Sequence, residues 1–64
     1  MELEPLTRRV RAEFSEMPGL QLSPPQAMRL WGLEREVCEM VIEALVAAAF
    51  LRRTPSGTVL RTRQ

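Results

Sequence analysis

The chain has 64 residues, one cysteine and no histidine, and nine arginines against eight glutamates give a formal net charge of +1. A chain this short forms one domain with a small core, because it buries only about 60% of the surface that its unfolded form exposes. The composition excludes a disulfide within the chain and leaves a Cys/His zinc site with at most one ligand, so we expect a buried, apolar Cys38 and no cofactor.

The N-terminal segment predicts helix 1 over about residues 4–17. Its apolar residues recur at steps of three and four, which is the spacing of one helical face: Leu3, Leu6, Val10, Phe14 and Met17. Pro5 suits the first turn, and "MPG" at 17–19 ends the helix. The start, "MELEPL", is acidic and lacks the basic and apolar regions of a secretory signal, so we expect a cytoplasmic protein of bacterial type.

The segment "LSPPQAMRLWG" predicts helix 2 over about residues 24–31. Ser23 is the expected N-cap, and Gln26 is its capping-box partner three residues later. Gly32 can adopt the left-handed conformation that ends a helix. Three residues supply the apolar side, and the tryptophan among them is expected in the core: Ala27, Leu30 and Trp31.

Helix 3 is predicted over about residues 34–49. Five residues cluster on one side of its helical wheel, with Cys38 at their edge: Val37, Val41, Ala44, Leu45 and Ala48. The far side carries three acids: Glu36, Glu39 and Glu43. Ile42 and Val46 widen the apolar arc, so we expect helix 3 to meet helix 1, helix 2 and either the hairpin below or another chain. The longest apolar run, "ALVAAAFL", is far shorter than the roughly 20 residues that span a bilayer, so we expect no membrane partner.

The C-terminal segment predicts a two-stranded hairpin over about residues 50–62. Pro55 fits the first corner of a type I turn, and Gly57 fits a left-handed position after it. The flanking Thr54, Thr58 and Val59 favour strands. Because an isolated hairpin is marginal, we expect it to pack on the helices through Phe50, Leu51 and Val59 or Leu60.

Charge is distributed unevenly along the chain. Residues 1–31 are neutral overall, residues 32–49 carry −3, and residues 50–64 carry four arginines and no acid. The basic potential is therefore C-terminal and does not lie on helix 3.

The order of these elements resembles the winged helix-turn-helix of small bacterial transcription regulators. The resemblance runs through "LSPPQAMRLWGLEREVCEMVIEALVAAAFLRRTPSGTVLR", where an "AxxL-Gly-Leu" type of turn leads to a helix ending like "LVxxGFLRR" and to a wing like "TPxG". It implies a mainly α fold of three helices with a C-terminal two-stranded wing. Three features depart from the pattern. Glu34 stands where Ser, Thr or Asp would cap helix 3 better, and Ala49 stands where a Gly commonly turns into the wing. The third is the acidic face of helix 3 itself.

The resemblance also implies duplex DNA as the partner, with helix 3 in the major groove and the wing on the neighbouring backbone. Met40 falls at a base-contact position, and Arg8, Arg9 and Arg11 of helix 1 could hold phosphates. The candidate DNA-binding residues are Ser23, Gln26, Arg29, Arg35, Glu36, Glu39, Arg52, Arg53, Arg61 and Arg63. We expect such a protein to act as a dimer in transcription regulation.

The charge pattern leaves other interpretations open. The acidic face of helix 3 is also typical of a solvated surface. The hairpin arginines are also typical of charges that protect a strand edge, or of residues that contact an acidic partner. Alternatively, the chain is a protein-interaction module that binds a protein or a second copy of itself through Glu36, Glu39, Glu43, Ile42 and Val46. We expect no enzyme, because the chain lacks His, Asp, a Gly-rich phosphate loop and a general base near any serine.

Overall fold

The structure is a computed structural model that describes residues 2–62. It contains three helices and a small antiparallel sheet of three strands. In chain order the elements are α1 (Glu4–Glu16), β1 (Gln21–Leu22), α2 (Pro24–Trp31), α3 (Arg35–Ala47), β2 (Leu51–Arg53) and β3 (Val59–Arg61). The predicted helices 1 to 3 and the hairpin are confirmed as α1 to α3 and β2–β3, with ends that differ by one or two residues. No helix within the described residues is long and apolar enough to cross a membrane.

The sheet has one strand more than predicted. β1 pairs antiparallel with β3, Gln21 opposite Leu60 and Leu22 opposite Val59, so the strand order is β1-β3-β2. A strand of two residues is too short to show a period-two pattern in the sequence, so no strand was predicted between helices 1 and 2. The extra strand matters because a third strand helps an otherwise marginal hairpin to persist.

All six elements contribute to one core. Its buried residues are Val10, Phe14, Leu22, Ala27, Trp31, Cys38, Val41, Ile42, Leu45, Leu51 and Val59. Trp31 joins α2 to α1, because its ring meets Phe14 edge to face at 6.3 Å and its Nε1 donates a hydrogen bond of 3.1 Å to Glu13 Oε1. The expected burial of Trp31 and Cys38 is confirmed.

On helices 1 and 2, two residues of the predicted apolar faces are exposed. Met17 is 48% exposed because α1 ends at Glu16 and the Met17 backbone turns away at φ −126° and ψ 81°. Leu30 is also 48% exposed, since α2 is so short that Ala27 and Trp31, four residues apart, form its buried side.

The buried stripe of α3 is rotated from the predicted one. Ile42 is fully buried, whereas Ala44 and Ala48 are exposed and Val37 is half-buried. Burial free energy scales with apolar area, so a helix gains more by turning isoleucine inward than alanine. As expected, α3 contacts α1, α2 and the hairpin.

The ends of α2 follow the predicted chemistry. Gln26 N donates to Ser23 Oγ at 3.3 Å, and Ser23 N donates to Gln26 Oε1 at 2.9 Å, which completes the capping box. Gly32 ends the helix at φ 65° and ψ 36°. Glu34, by contrast, stands at the N-cap of α3 without a side-chain capping bond.

The hairpin turn also has the predicted form. Gly57 N donates to Thr54 O at 2.9 Å, with Pro55 at the first corner and Gly57 at φ 94°. The hydroxyl oxygen of Thr54 lies 2.9 Å from that of Ser56 and 2.7 Å from that of Thr58. These contacts order the tip of the hairpin.

Ala49 ends α3 in a conformation that favours glycine. Its φ is 62°, in the left-handed region, and it is the only described residue other than glycine with a positive φ. Ala49 N donates to Val46 O and Phe50 N donates to Leu45 O, both at 2.9 Å, as in a Schellman cap. Ala49, which stands where the wing pattern commonly has a glycine, is therefore a residue with backbone strain.

We expect Ala49→Gly to raise the free energy of unfolding by about 0.5–1 kcal/mol, because the left-handed penalty of an L-residue exceeds the entropy that glycine gains in the unfolded chain. Ala48 is the matched control, since it is exposed and has φ −82°. Ala48→Gly should lower the free energy of unfolding. Urea denaturation of the three proteins measures both effects, and a loss of stability in Ala49→Gly would contradict the strain.

Candidate functional site

The α2–Gly32–α3 unit presents an uncovered helix face. Contacts of α3 with α1, α2 and β2 occupy one side of the helix. On the other side Met40 is 51% exposed, and its exposed neighbours on α3 are Glu36, Glu43, Ala44 and Ala47. Nothing within residues 2–62 covers this surface, which we call the outer face of α3.

Arg35 lies at the N-terminal end of α3, on the side of the helix that borders α2. It is the first residue of α3 and is exposed. Its side chain lines a groove between the two helices, with Pro24, Met28 and Glu39 among the other lining residues. A guanidinium here is well placed to reach beyond the N-terminal end of α3.

Arg53 of the hairpin forms ion pairs with two of the acids on α3. Arg53 Nη2 lies 3.3 Å from Glu39 Oε1, where it donates a hydrogen bond, and 3.9 Å from Glu43 Oε2. The Arg53 and Glu39 side chains are 35% and 41% exposed, whereas Glu43 is 75% exposed. Two of the three acids on α3 are therefore paired within the molecule, Glu39 more closely than Glu43.

The hairpin arginines do not share one face of the sheet. Arg53 stands opposite Val59, and Arg61 stands opposite Leu51, so both belong to the side of the sheet that packs on the helices. Arg52 stands opposite Leu60 on the other side. The predicted DNA contact of Arg63 lies outside the described residues. The sheet therefore separates Arg52 from the two arginines that approach the helices.

Arg61 of β3 and Arg11 of α1 both contact the aromatic ring of Phe50. The guanidinium carbons of Arg11 and Arg61 lie 5.2 and 5.3 Å from the centroid of the Phe50 ring. These contacts satisfy the distance of a cation–π interaction. The sequence predicted Phe50 only as a core contact, and its separation from Arg11 left no local signal of this cluster.

The α2 candidates have different surroundings. Ser23 and Gln26 use their side chains in the capping box. Arg29 is exposed and lines a shallow groove with Leu22 and Leu30. Arg29 therefore offers a cation on α2 that has no carboxylate within 4.0 Å among residues 2–62, while the other two stabilise the start of the helix.

Cys38 does not have the surroundings of a reactive thiol. It is buried, and burial together with the nearby Glu39 carboxylate raises the pKa of the thiol above its ordinary value, against the opposing influence of Arg53. The neutral thiol is a poor nucleophile and a poor metal ligand. No group of three His, Cys, Asp or Glu side chains that could hold a metal ion occurs among the described residues.

We expect the Arg53–Glu39 pair to contribute a coupling energy of about 0.2–1 kcal/mol, because both side chains are partly exposed. A double-mutant cycle of Arg53→Ala and Glu39→Gln, followed by urea denaturation at low and high salt, measures it. The coupling should fall as salt rises. The matched cycle of Arg52→Ala with Glu39→Gln should give no coupling, and equal values for the two cycles would contradict the contact.

Comparison with known proteins assigns no family to the chain. No family model matches it, and neither a curated protein nor a solved structure does. A function for the chain is therefore inferred from the arrangement of its own residues.

Proposed function

We propose that the chain is a small winged helix-turn-helix protein of the cytoplasm that binds duplex DNA and acts in transcription regulation. The observation that carries the proposal is the uncovered outer face of α3, held by the Gly32 turn and bordered by Arg35 and Arg53. The order of three helices and a terminal hairpin is compatible with that fold.

The dimensions of α3 suit a major groove. It has 13 residues, which at about 1.5 Å per residue give a length of about 20 Å. Its outer face carries no second layer of structure within the described residues, and a B-DNA major groove of about 12 Å width admits a single helix. In this orientation Arg35, at the N-terminal end of α3, is the residue best placed to contact a base edge. Arginine forms bidentate hydrogen bonds with guanine.

The Arg53–Glu39 pair reduces the main physical obstacle to DNA binding. An unpaired carboxylate on the outer face would repel phosphates within about a Debye length of 8–10 Å. The guanidinium at 3.3 Å offsets the Glu39 charge locally. Glu39 keeps a second oxygen that can accept from cytosine N4, which is the base edge that carboxylates read. Of the three acids on α3, Glu36 is the one that has no arginine within 4.0 Å among the described residues.

Backbone affinity would come from exposed arginines on elements other than α3. Arg29 and Arg52 have no carboxylate within 4.0 Å among the described residues, and Arg9 has only its helical neighbour Glu13 at 3.8 Å. Few such contacts fit on a molecule of 31 × 21 × 20 Å, and affinity for DNA grows with the number of neutralised phosphates. A single copy would therefore bind weakly, and two copies on neighbouring half-sites would bind more tightly.

We expect the purified chain to bind random duplex with a Kd of about 10⁻⁴–10⁻⁶ M at physiological salt and more tightly at low salt. Fluorescence anisotropy over a salt series measures the affinity and the number of phosphate contacts. Arg35→Gln should weaken binding, and Glu43→Gln should strengthen it by removing repulsion from the outer face.

Glu16→Gln is the matched control, since Glu16 is an exposed acid at the end of α1. It should leave the affinity nearly unchanged. Absence of binding at low salt would refute the proposal, as would equal effects of Glu43→Gln and Glu16→Gln.

The exposed Met40 supports a second candidate function, a protein-interaction module. It lies between Glu36 and Glu43 on the outer face and is half exposed, and flexible methionines are common at surfaces that bind other proteins. The predicted partner contact of Ile42 is wrong, because that side chain is fully buried, and Val46 is half-buried. The surface that remains would suit a basic partner, or a second copy whose arginines meet these acids.

Light scattering over a wide range of concentration tests self-association. In this second function the chain forms a dimer without DNA, and Met40→Ser together with Glu36→Gln weakens that dimer because both changes lie on the outer face. Arg29→Gln on α2 serves as the control. A chain that stays monomeric, binds no protein and binds duplex would exclude the module.

A further inference from the structure

Phe50 holds two guanidinium groups that come from different elements. Arg11 belongs to α1 and Arg61 to β3, and Phe50 itself lies between α3 and β2. Each guanidinium carbon lies close to 5 Å from the ring centroid, at 5.2 and 5.3 Å. The ring is half-buried and packs against the core. Three separate parts of the chain thus place two like charges beside one rigid apolar surface.

This cluster lacks the counter-charges that Arg9 and Arg53 have. Arg9 pairs with Glu13, and Arg53 pairs with Glu39 and Glu43. Neither Arg11 nor Arg61 has a carboxylate within 4.0 Å among residues 2–62. Arg8, one helical turn before Arg11, adds to the positive potential. The positive charge beside the Phe50 ring is therefore not offset by a carboxylate of residues 2–62.

The geometry points to a phosphate-binding site formed by Arg11, Phe50 and Arg61. Guanidinium groups match the oxygens of a phosphate with paired charge-assisted hydrogen bonds, which an ammonium group does not reproduce. Contact with the ring restricts both side chains before a ligand arrives, so less conformational entropy is lost on binding. The ring also shields one side of each guanidinium from water. The chemistry is that of a phosphate group, whether in a nucleic-acid backbone or in a free phosphorylated molecule.

The site is separate from the outer face of α3. None of its three residues belongs to α3, and none is among the side chains that pair with Arg53. If the phosphate is that of duplex DNA, the site rests on the proposed function and adds a backbone contact from α1. If the phosphate is free, the site stands without the proposed function.

The first arm of the test uses inorganic phosphate alone. It is titrated into the full chain at constant ionic strength, with chloride as the competing anion, while NMR follows the Phe50 ring protons and the Nε–H groups of Arg11 and Arg61. We expect saturable shifts at these three residues. Arg11→Gln and Arg61→Gln should each weaken binding by roughly threefold to tenfold, the loss of one charge-assisted contact at a partly exposed site.

Two further variants make this arm decisive. Arg29→Gln removes the same charge from an exposed position on α2, outside the cluster, and should weaken phosphate binding less than Arg11→Gln or Arg61→Gln does. Phe50→Leu keeps both arginines and most of the apolar bulk, and should weaken binding by a similar several-fold factor; thermal unfolding confirms that this variant is folded. Shifts no larger than those in chloride, equal losses in Arg29→Gln and Arg61→Gln, or full affinity in folded Phe50→Leu would each overturn the site.

The second arm adds a short random duplex and follows the same resonances together with those of Arg35. Shifts at Phe50, Arg11 and Arg61 identify the backbone as a source of the phosphate. Shifts confined to Arg35, with inorganic phosphate still saturable, identify a free phosphorylated ligand. If duplex shifts nothing while inorganic phosphate still binds, the proposed function fails and the phosphate site remains.

Discussion

Burial of one stripe of α3 determines the arrangement of the rest of the molecule. Cys38, Val41, Ile42 and Leu45 are each at most 1% exposed, and α3 touches α1, α2 and β2. A fully buried aliphatic side chain contributes about 1.5–3 kcal/mol, so the orientation of α3 about its axis is fixed by its largest residues. Because that orientation is fixed, the acids of α3 have defined positions relative to the hairpin. The pairing of Arg53 with Glu39 follows from the packing on the opposite side of the helix.

The caps at the two ends of α2 were predictable from the sequence. The capping box of Ser23 and Gln26 and the left-handed Gly32 depend on residues within a few positions of one another, and both are confirmed. Strand β1 and the rotation of α3 depend on contacts between distant segments. A two-residue strand has no periodicity of its own, and a wheel that treats alanine and isoleucine alike cannot choose which one turns inward.

The net charge of each segment was predictable from sequence, but the pairing of those charges in the fold was not. Blocks of charge along the chain suggested an acidic helix and a basic hairpin as separate surfaces. The fold brings Arg53 back to Glu39, while Arg61 turns to Phe50 and Arg52 to the opposite side of the sheet. Net charge per segment therefore describes the long-range field, whereas pairing in three dimensions decides which charges stay available for a partner.

The strand order β1-β3-β2 leaves β2 at one edge of the sheet. An edge strand offers unpaired backbone groups to which another chain can add a strand. Two of the three residues of β2 are arginines, and both are exposed. Antiparallel pairing of two β2 strands about a two-fold axis would bring four guanidinium groups together, which their mutual repulsion opposes. The arginines of β2 therefore disfavour a continuous sheet formed by joining two copies of the chain through this edge.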